Sequence, residues 1–408
     1  MNNPNKFYNL IIIGAGASGL AMAVTAKRKN KDLSVCILEA GEKPGRKLLA
    51  TGNGRCNLTN MDLSCEKYYG SFPCKSVISK VNPHKLLDFF LSIGLLCKAE
   101  ENGLVYPYCK QAKAVRDVLL MECSRLGVDI ICNSTVFNIK KSNGTFSVKS
   151  TSAVLNSEKV ALCCGGKASP SCGGTGAGID LLKNIGIKIN TPSPALCPVE
   201  VTDTNIKTLK GVRTRAKVSL YDGNRFVKDE TGELQFTYNT LSGICIFNLS
   251  SVMNKINSPV IKVNFMPDYC TEDVMEIIKN HQKIFSDEPI SLLLTGIIND
   301  KLGNFFLKSA FGKEKLNNQS KTLTDSDICA VADVLCRTEF RCSKSLDFKK
   351  AQVMAGGIEK SEVNPHTLES KRVKGLYFCG EILDINGDCG GYNLHFAFAS
   401  GIIAGENI

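Results

Sequence analysis

The most constraining feature of this chain lies near its start. Leu10–Ile13 is a short run of the buried-strand type, and Gly14-Ala15-Gly16-Ala17-Ser18-Gly19 follows it at once. An apolar helical pattern then runs to about Arg28, and Leu33–Leu38 reads as a second strand ending in Glu39, about 20 residues beyond the last glycine. Strand, glycine turn, helix, strand and acid form the unit that binds a dinucleotide. Gly14 permits the tight turn, Gly16 lets backbone approach a pyrophosphate, and Gly19 lets the helix pack on the strand. Ala17 and Ser18 complete the first helical turn, whose free N–H groups and positive dipole end face the phosphates. Glu39, with Ala40 beside it, is placed to accept hydrogen bonds from an adenosine ribose. The competing reading of Leu10–Ala26, the apolar core of a signal peptide, accounts for neither the glycine spacing nor the strand at Val35–Glu39.

Two further segments carry the chemistry of a bound nucleotide. Directly after Glu39 comes Gly45-Arg46-Lys47 and then Thr51-Gly52-Asn53-Gly54-Arg55-Cys56-Asn57, too polar and glycine-rich to be core. Such a loop lays backbone N–H groups and cations over a pyrophosphate or flavin, although an ordinary surface loop has the same composition. Near the end, Gly375–Cys379 reads as a strand leading into Gly380-Glu381, Asp384 and then Gly390-Gly391-Tyr392-Asn393-Leu394 at the start of a helix. A strand ending in Gly-Glu followed by a Gly-Gly loop opening a helix resembles the second FAD motif of two-motif flavoproteins. With the first motif it argues for FAD, non-covalently held, over NAD as the resident nucleotide. Gly165-Gly166 closes a further strand-like run at Lys159–Cys164.

The rest of the composition narrows the class. Apolar residues make up 43% and charged residues 22%, a globular balance. No apolar run is long enough for a membrane-spanning helix, which points to a cytoplasmic protein. The 19 cysteines form no CxxC pair and make a poor disulfide framework. Cys163, Cys164 and Cys172 are close in sequence, but buried thiols in a reducing compartment explain them better than a metal site, and no metal is expected. A net charge of +11 is spread over single lysines, and the chain has no Trp. That suits an anionic ligand better than a nucleic-acid surface.

Along the chain, Asn82-Pro83 starts a helix, Ala112–Leu126 is a second one stopped by Gly127, and Asn143-Gly144 turns a hairpin between Val136–Lys140 and Phe146–Lys149. From about Pro192 turn signals at Tyr221-Asp222-Gly223 and Thr231-Gly232 suggest an antiparallel β unit, and Thr271 to about Arg337 reads as helical. The expected architecture is α/β. A Rossmann-type FAD-binding domain over residues 1–191 and 343–408 is interrupted by an insert over residues 192–342. The insert is β-rich over 192–268 and helical over 269–342.

TGNGRCNLTN after a GxGxxG…E unit resembles the BaiN-like and aminoacetone-oxidase-like group of FAD proteins. The likeness continues through GGKASPSCGGTGAG, SPALCPVEV, GELQFTYNTLSG, VMAGGIEKSEVNPHTLESK and GLYFCGEILDINGDCGGYNL, nearly the whole chain. It implies that Gly14, Gly16, Gly19, Glu39, Lys47, Gly380 and Gly391 contact the flavin nucleotide, and that Val136 offers a backbone contact to adenine. The implied activity is NAD(P)H-linked reduction of an activated C=C bond in a bile-acid or steroid-like substrate. The alternatives are oxidation of a small amine such as aminoacetone, and a non-catalytic or tRNA-linked FAD protein. The family often has FTHxGLSGP, where this chain has Phe236-Thr237-Tyr238 and Ile244, so Tyr238 becomes a candidate acid. His395 on the final helix and Arg55 are the other catalytic candidates, although a packed or solvent-facing histidine explains the first better and shaping of the loop accounts for the second. Cys56 as a redox thiol lacks a partner at suitable spacing. Gly173-Gly174-Thr175-Gly176-Ala177-Gly178 has the wrong spacing for a second dinucleotide turn, so NAD(P)H would visit transiently without a dedicated domain.

Overall fold

The computed structural model describes residues 6–202, 204–253, 255–343 and 347–408. The chain divides into two units, one reaching Ala195 and resuming at Phe348–Ile408, the other running from Leu196 to Asp347. The strand Ile189–Ala195 pairs antiparallel with Val353–Ile358, which ties both ends of the first unit together.

At the centre of the first unit lies a seven-stranded sheet. The first strand, Phe7–Ile13, pairs in parallel with Val35–Leu38 on one edge and Val154–Leu162 on the other. Leu10, Ile11 and Ile12 are completely buried because a parallel strand with neighbours on both sides is covered on both faces. Asp129–Ile131 extends the sheet beyond Val35–Leu38. Val154–Leu162 is shared on its other edge, its first half pairing with Thr145–Ser150 and its second half with Leu376–Phe378. The C-terminal segment therefore returns to the centre of the same sheet. Asn143 and Gly144 both take positive φ, 48° and 83°, the backbone a two-residue hairpin needs.

The first helix, Ala17–Lys29, lies against the last, Tyr392–Glu406. Their approach is set by two glycines. A Cβ on Gly401 would stand 2.2 Å from the Ser18 carbonyl oxygen, and one on Gly405 would stand 2.7 Å from that of Met22. Backbone cannot yield cheaply here, so Gly401→Val is expected to cost about 3 kcal/mol by overpacking. The check is the chemical-unfolding midpoint followed by circular dichroism, and an unchanged midpoint would contradict so close a helix contact.

The second unit is built on a six-stranded antiparallel sheet ordered Val199–Glu200, Thr240–Ser242, Arg225–Phe236, Arg213–Asp222, Pro259–Asn264 and Thr338–Arg341. Two expectations are corrected. Thr231-Gly232 is not a turn but lies inside the strand Arg225–Phe236, with Gly232 opposite Ala216. The Gly232 Cβ position is 3.8 Å from Cys245 Cβ on the helix Ile244–Met253, an ordinary contact that leaves space for a methyl group. The β and helical parts also interleave rather than follow one another. After the helices Thr271–Ile284, Asp300–Lys315 and Asp325–Arg337, the strand Thr338–Arg341 rejoins the sheet beside Pro259–Asn264. Among the described residues no helix is long and apolar enough to cross a membrane.

Candidate functional site

The site is built in the first unit where the first strand ends. Gly14 has φ +104°, and a Cβ there would lie 2.6 Å from the Cys163 carbonyl oxygen. A Cβ on Gly19 would lie 2.1 Å from the Gly14 carbonyl oxygen. Gly16 differs from both, because its backbone is extended and no protein atom lies within 4 Å of its Cβ position. Two glycines are thus demanded by the protein's own packing. The third borders open space at a helix start that no side chain caps. That space is a cradle a side chain would fill, bordered by the first-turn N–H groups of Ala17, Ser18 and Gly19, and it fits a pyrophosphate.

Glu39 closes this cradle from the second strand. Its Oε2 accepts a hydrogen bond from the Ala15 N–H and its Oε1 from the Gly41 N–H, both at 2.8 Å. Each oxygen keeps a lone pair for a ribose hydroxyl. Ala40 is exposed beside it. The Ser134 N–H donates to the Glu39 carbonyl and the Asn133 N–H to the Gly41 carbonyl. These bonds hold the approach to the buried Val136 alongside the acid.

The polar loop folds back over the glycine turn, with the Gly45 N–H donating to the Ala15 carbonyl at 2.9 Å. Lys47 then reaches the second motif, its Nζ standing 2.6 Å from Glu381 Oε2. Glu381 Oε1 accepts from the Met354 N–H, and the Gly165 Cβ position lies 3.7 Å from its other oxygen. Gly166 packs on Met354 and Gly380 on the Ser18 side chain. Gly14–Gly19, Lys47, Gly165-Gly166 and Gly380-Glu381 therefore meet in one place, although more than 300 residues separate Lys47 from Glu381.

Around this centre several candidates have structural partners. Gly391 takes φ +94° at the start of the last helix, and a Cβ there would strike the Thr59 carbonyl oxygen at 2.5 Å. Asn60 donates to the Gly390 carbonyl, which joins the end of the polar loop to the Gly-Gly turn. Asn393 holds the strand Ile385–Gly387 by exchanging hydrogen bonds with both backbone groups of Gly387. Asp384 is buried, and one carboxylate oxygen accepts from the Ser71 N–H and from Asn190 Nδ2. Leu394 is half-buried against the core. Asn53 and Cys56 carry positive φ, 54° and 61°, and Asn57 accepts from the Val105 N–H. Thr59 and Asn60, read from sequence only as the end of the TGNGRCNLTN motif and not as site residues, lock that motif to the last helix.

The catalytic candidates fall differently. His395 is completely buried, and both ring nitrogens are engaged at 2.8 Å. The Val81 carbonyl can only accept, so Nε2 carries the hydrogen and Nδ1 accepts from the Thr59 hydroxyl. Burial lowers its pKa to about 4, which keeps the ring neutral, so His395 is a packed core histidine and not an acid. Cys56 is equally unsuited to redox work, since burial pushes its thiol up to about 12. In the folded protein Cys56 is expected to resist iodoacetamide at mildly alkaline pH while exposed Cys65 and Cys109 are alkylated, as peptide mass spectrometry would show. Rapid alkylation of Cys56 would restore the redox reading. Arg55 is exposed and lies over the Tyr106 ring at 4.9 Å. Tyr238 belongs to the second unit, is exposed, and has the Lys207 ammonium 5.0 Å over its ring. Among the described residues no group of His, Cys, Asp or Glu is arranged to hold a metal.

A glycine turn between parallel strands, with an acid closing it, defines a Rossmann-type dinucleotide-binding protein. The model of the HI0933-like protein Rossmann domain matches residues 8–407. A 3-dehydro-bile acid delta(4,6)-reductase of Clostridium scindens is 36% identical over 403 residues, 97% of each chain. A ribosomal RNA dihydrouridine synthase of Haemophilus influenzae is 26% identical, again over 97% of each. Among solved structures, the quinol fumarate reductase subunit FrdA of E. coli superposes with a TM-score of 0.50 at 12% identity, covering 99% of this chain and 70% of that one. That last likeness is one of fold. The chain belongs to the HI0933-like Rossmann family and, with it, to the oxidoreductases.

Proposed function

We propose that the protein is a flavin-dependent oxidoreductase that binds FAD and saturates a C=C bond conjugated to a carbonyl, drawing electrons from a reduced nicotinamide nucleotide. The observation that carries this reading is the 36% identity, end to end, with a protein named for reducing a delta(4,6) bile acid. The relatives named for dihydrouridine synthesis support the same bond change, because uridine also presents a C=C bond next to a carbonyl. A steroid-like dienone is the substrate class on this reading.

The open space at Gly16 and the uncapped helix start receive the pyrophosphate, and Glu39 receives the ribose. Lys47 and Glu381 bind on the ribityl side. The start of the last helix turns its positive end toward the flavin pyrimidine. FAD, when bound, supplies hydride transfer at its N5. A second reading, reduction of a uridine within RNA, is favoured by the H. influenzae relative.

The test is anaerobic stopped-flow of the FAD-loaded protein, following absorbance near ~450 nm with NADH or NADPH and then with acceptor. Bleaching by a nicotinamide and recovery on adding a steroid dienone supports the reading. Recovery with RNA alone moves the substrate to uridine. Bleaching by an aminoketone, with oxygen restoring the colour and no nicotinamide acting, would make the protein an oxidase.

A further inference from the structure

Beside the polar loop, three short antiparallel strands form a small sheet, Thr59–Asn60, Leu104–Pro107 and Cys97–Ala99. Lys98 and Tyr106 stand directly opposite one another in it. The Arg55 guanidinium lies 4.9 Å over the Tyr106 ring, and Lys110 Nζ is 2.8 Å from Glu100 Oε1. Lys98, Glu100, Tyr106, Pro107, Tyr108 and Lys110 line a basin of about 340 Å³. Two lysines and a single carboxylate line it, and Arg55, over the Tyr106 ring at its edge, is near enough to act on the same carboxylate. Glu100 is held below the usual carboxylate range, first by its hydrogen bond from Lys110 and further by Arg55 and Lys98. Lys110 sits at φ +52°, a backbone state a lysine rarely takes, on the rim of this basin.

We propose that this basin recognises the adenosine 2′-phosphate end of NADPH, which makes NADPH rather than NADH the electron donor. The proposal deepens the reductase reading and rests on it for the donor's role. A phosphate monoester carries close to two negative charges, matching the excess of cations over Glu100. Arg55 Nε donates to the Gly52 carbonyl at 3.3 Å, and the guanidinium over Tyr106 leaves its terminal N–H groups for phosphate oxygens and its outer face for an adenine ring. Tyr108, 65% exposed, offers a second aromatic face. Glu100 is an acceptor for the adenine amino group or a ribose hydroxyl, a role no phosphate-only site needs. The basin has the size of a small-ligand pocket, whereas RNA binding uses an extended basic track without an acid at its centre.

The test uses the FAD-loaded full chain and two probes, adenosine 2′,5′-bisphosphate and 5′-AMP, by titration calorimetry. The bisphosphate is expected to bind about tenfold or more tightly than 5′-AMP, the gain of one charge-assisted contact set. In a Lys98→Gln/Lys110→Gln variant that preference should fall at least about threefold, Arg55 keeping the remainder, with FAD content and thermal midpoint unchanged. Equal affinities in the native protein, or a preference undiminished by the double substitution, would overturn the proposal. So would capture of an RNA oligonucleotide lost in the same variant without any preference for the bisphosphate. The reductase reading fails separately. If neither nicotinamide bleaches the flavin, that reading falls and the donor role falls with it. If both bleach it equally and the bisphosphate shows no preference, only the basin is lost.

Discussion

Replacing Gly16 with valine is expected to give a protein that folds normally and holds no FAD. The two neighbouring glycines serve the fold, since a Cβ at Gly14 or Gly19 would meet backbone within 2.6 Å. At Gly16 nothing of the protein lies within 4 Å, and its backbone is in an extended region open to every residue. The Cβ of a valine there meets no protein atom within 4 Å and enters the space assigned to the pyrophosphate. Flavin absorbance per protein should drop at least about tenfold, as expected when close backbone approach is blocked. The unfolding midpoint of FAD-free protein should stay within the range of a surface change, about 0.5 kcal/mol. Gly14→Val should show the reverse pattern, a lowered midpoint before any question of cofactor arises. Normal FAD content in Gly16→Val would remove the cradle from the site.

Acid is expected to destabilise the native protein through His395. In the folded chain burial holds its pKa at about 4, with the Val81 carbonyl opposing part of the shift. An unfolded chain takes up this proton near its ordinary value of about 6.5. Between those values the unfolded state binds more protons, so stability falls as pH drops from about 6.5 to about 4. The loss from this group is on the order of 3 kcal/mol. Carboxylates also titrate at low pH, so the comparison must be with a variant. His395→Gln keeps a donor for Val81 and an acceptor for the Thr59 hydroxyl but cannot ionise. Urea midpoints at several pH values should fall less steeply for the variant across that window. Parallel slopes would mean that His395 is already solvated or charged in the native state.

These two residues show which parts of the molecule were legible in advance. Gly14, Gly16, Gly19 and Glu39 are read from spacing because each answers a local demand, for a turn, a close approach or a hydrogen bond at a strand end. The hairpin at Asn143-Gly144 is local in the same sense. Gly232 was misread because a glycine in a strand differs from one in a turn by the backbone it pairs with, here Ala216 on the neighbouring strand, which no local pattern names. His395 stood open between acid and core residue for the same reason. Its partners are Thr59 and Val81, both more than 300 residues away, and no pattern around position 395 names them. Asp384 and Asn393 belong to the second glycine motif by sequence, and hydrogen bonds to Asn190, the Ser71 backbone and Gly387 give both a structural task.

The sequence by itself determined the class of ligand and the α/β architecture, because a dinucleotide turn and a strand's burial are encoded within a few consecutive residues. Tertiary structure alone decided which of the motif residues are free to act. The Lys47–Glu381 pair and the lock of Thr59 and Asn60 on the last helix join segments more than 300 residues apart in the chain. Their physics is that of contact: a carboxylate, an imidazole or a thiol takes its charge and reactivity from whatever the fold brings within a few ångströms of it.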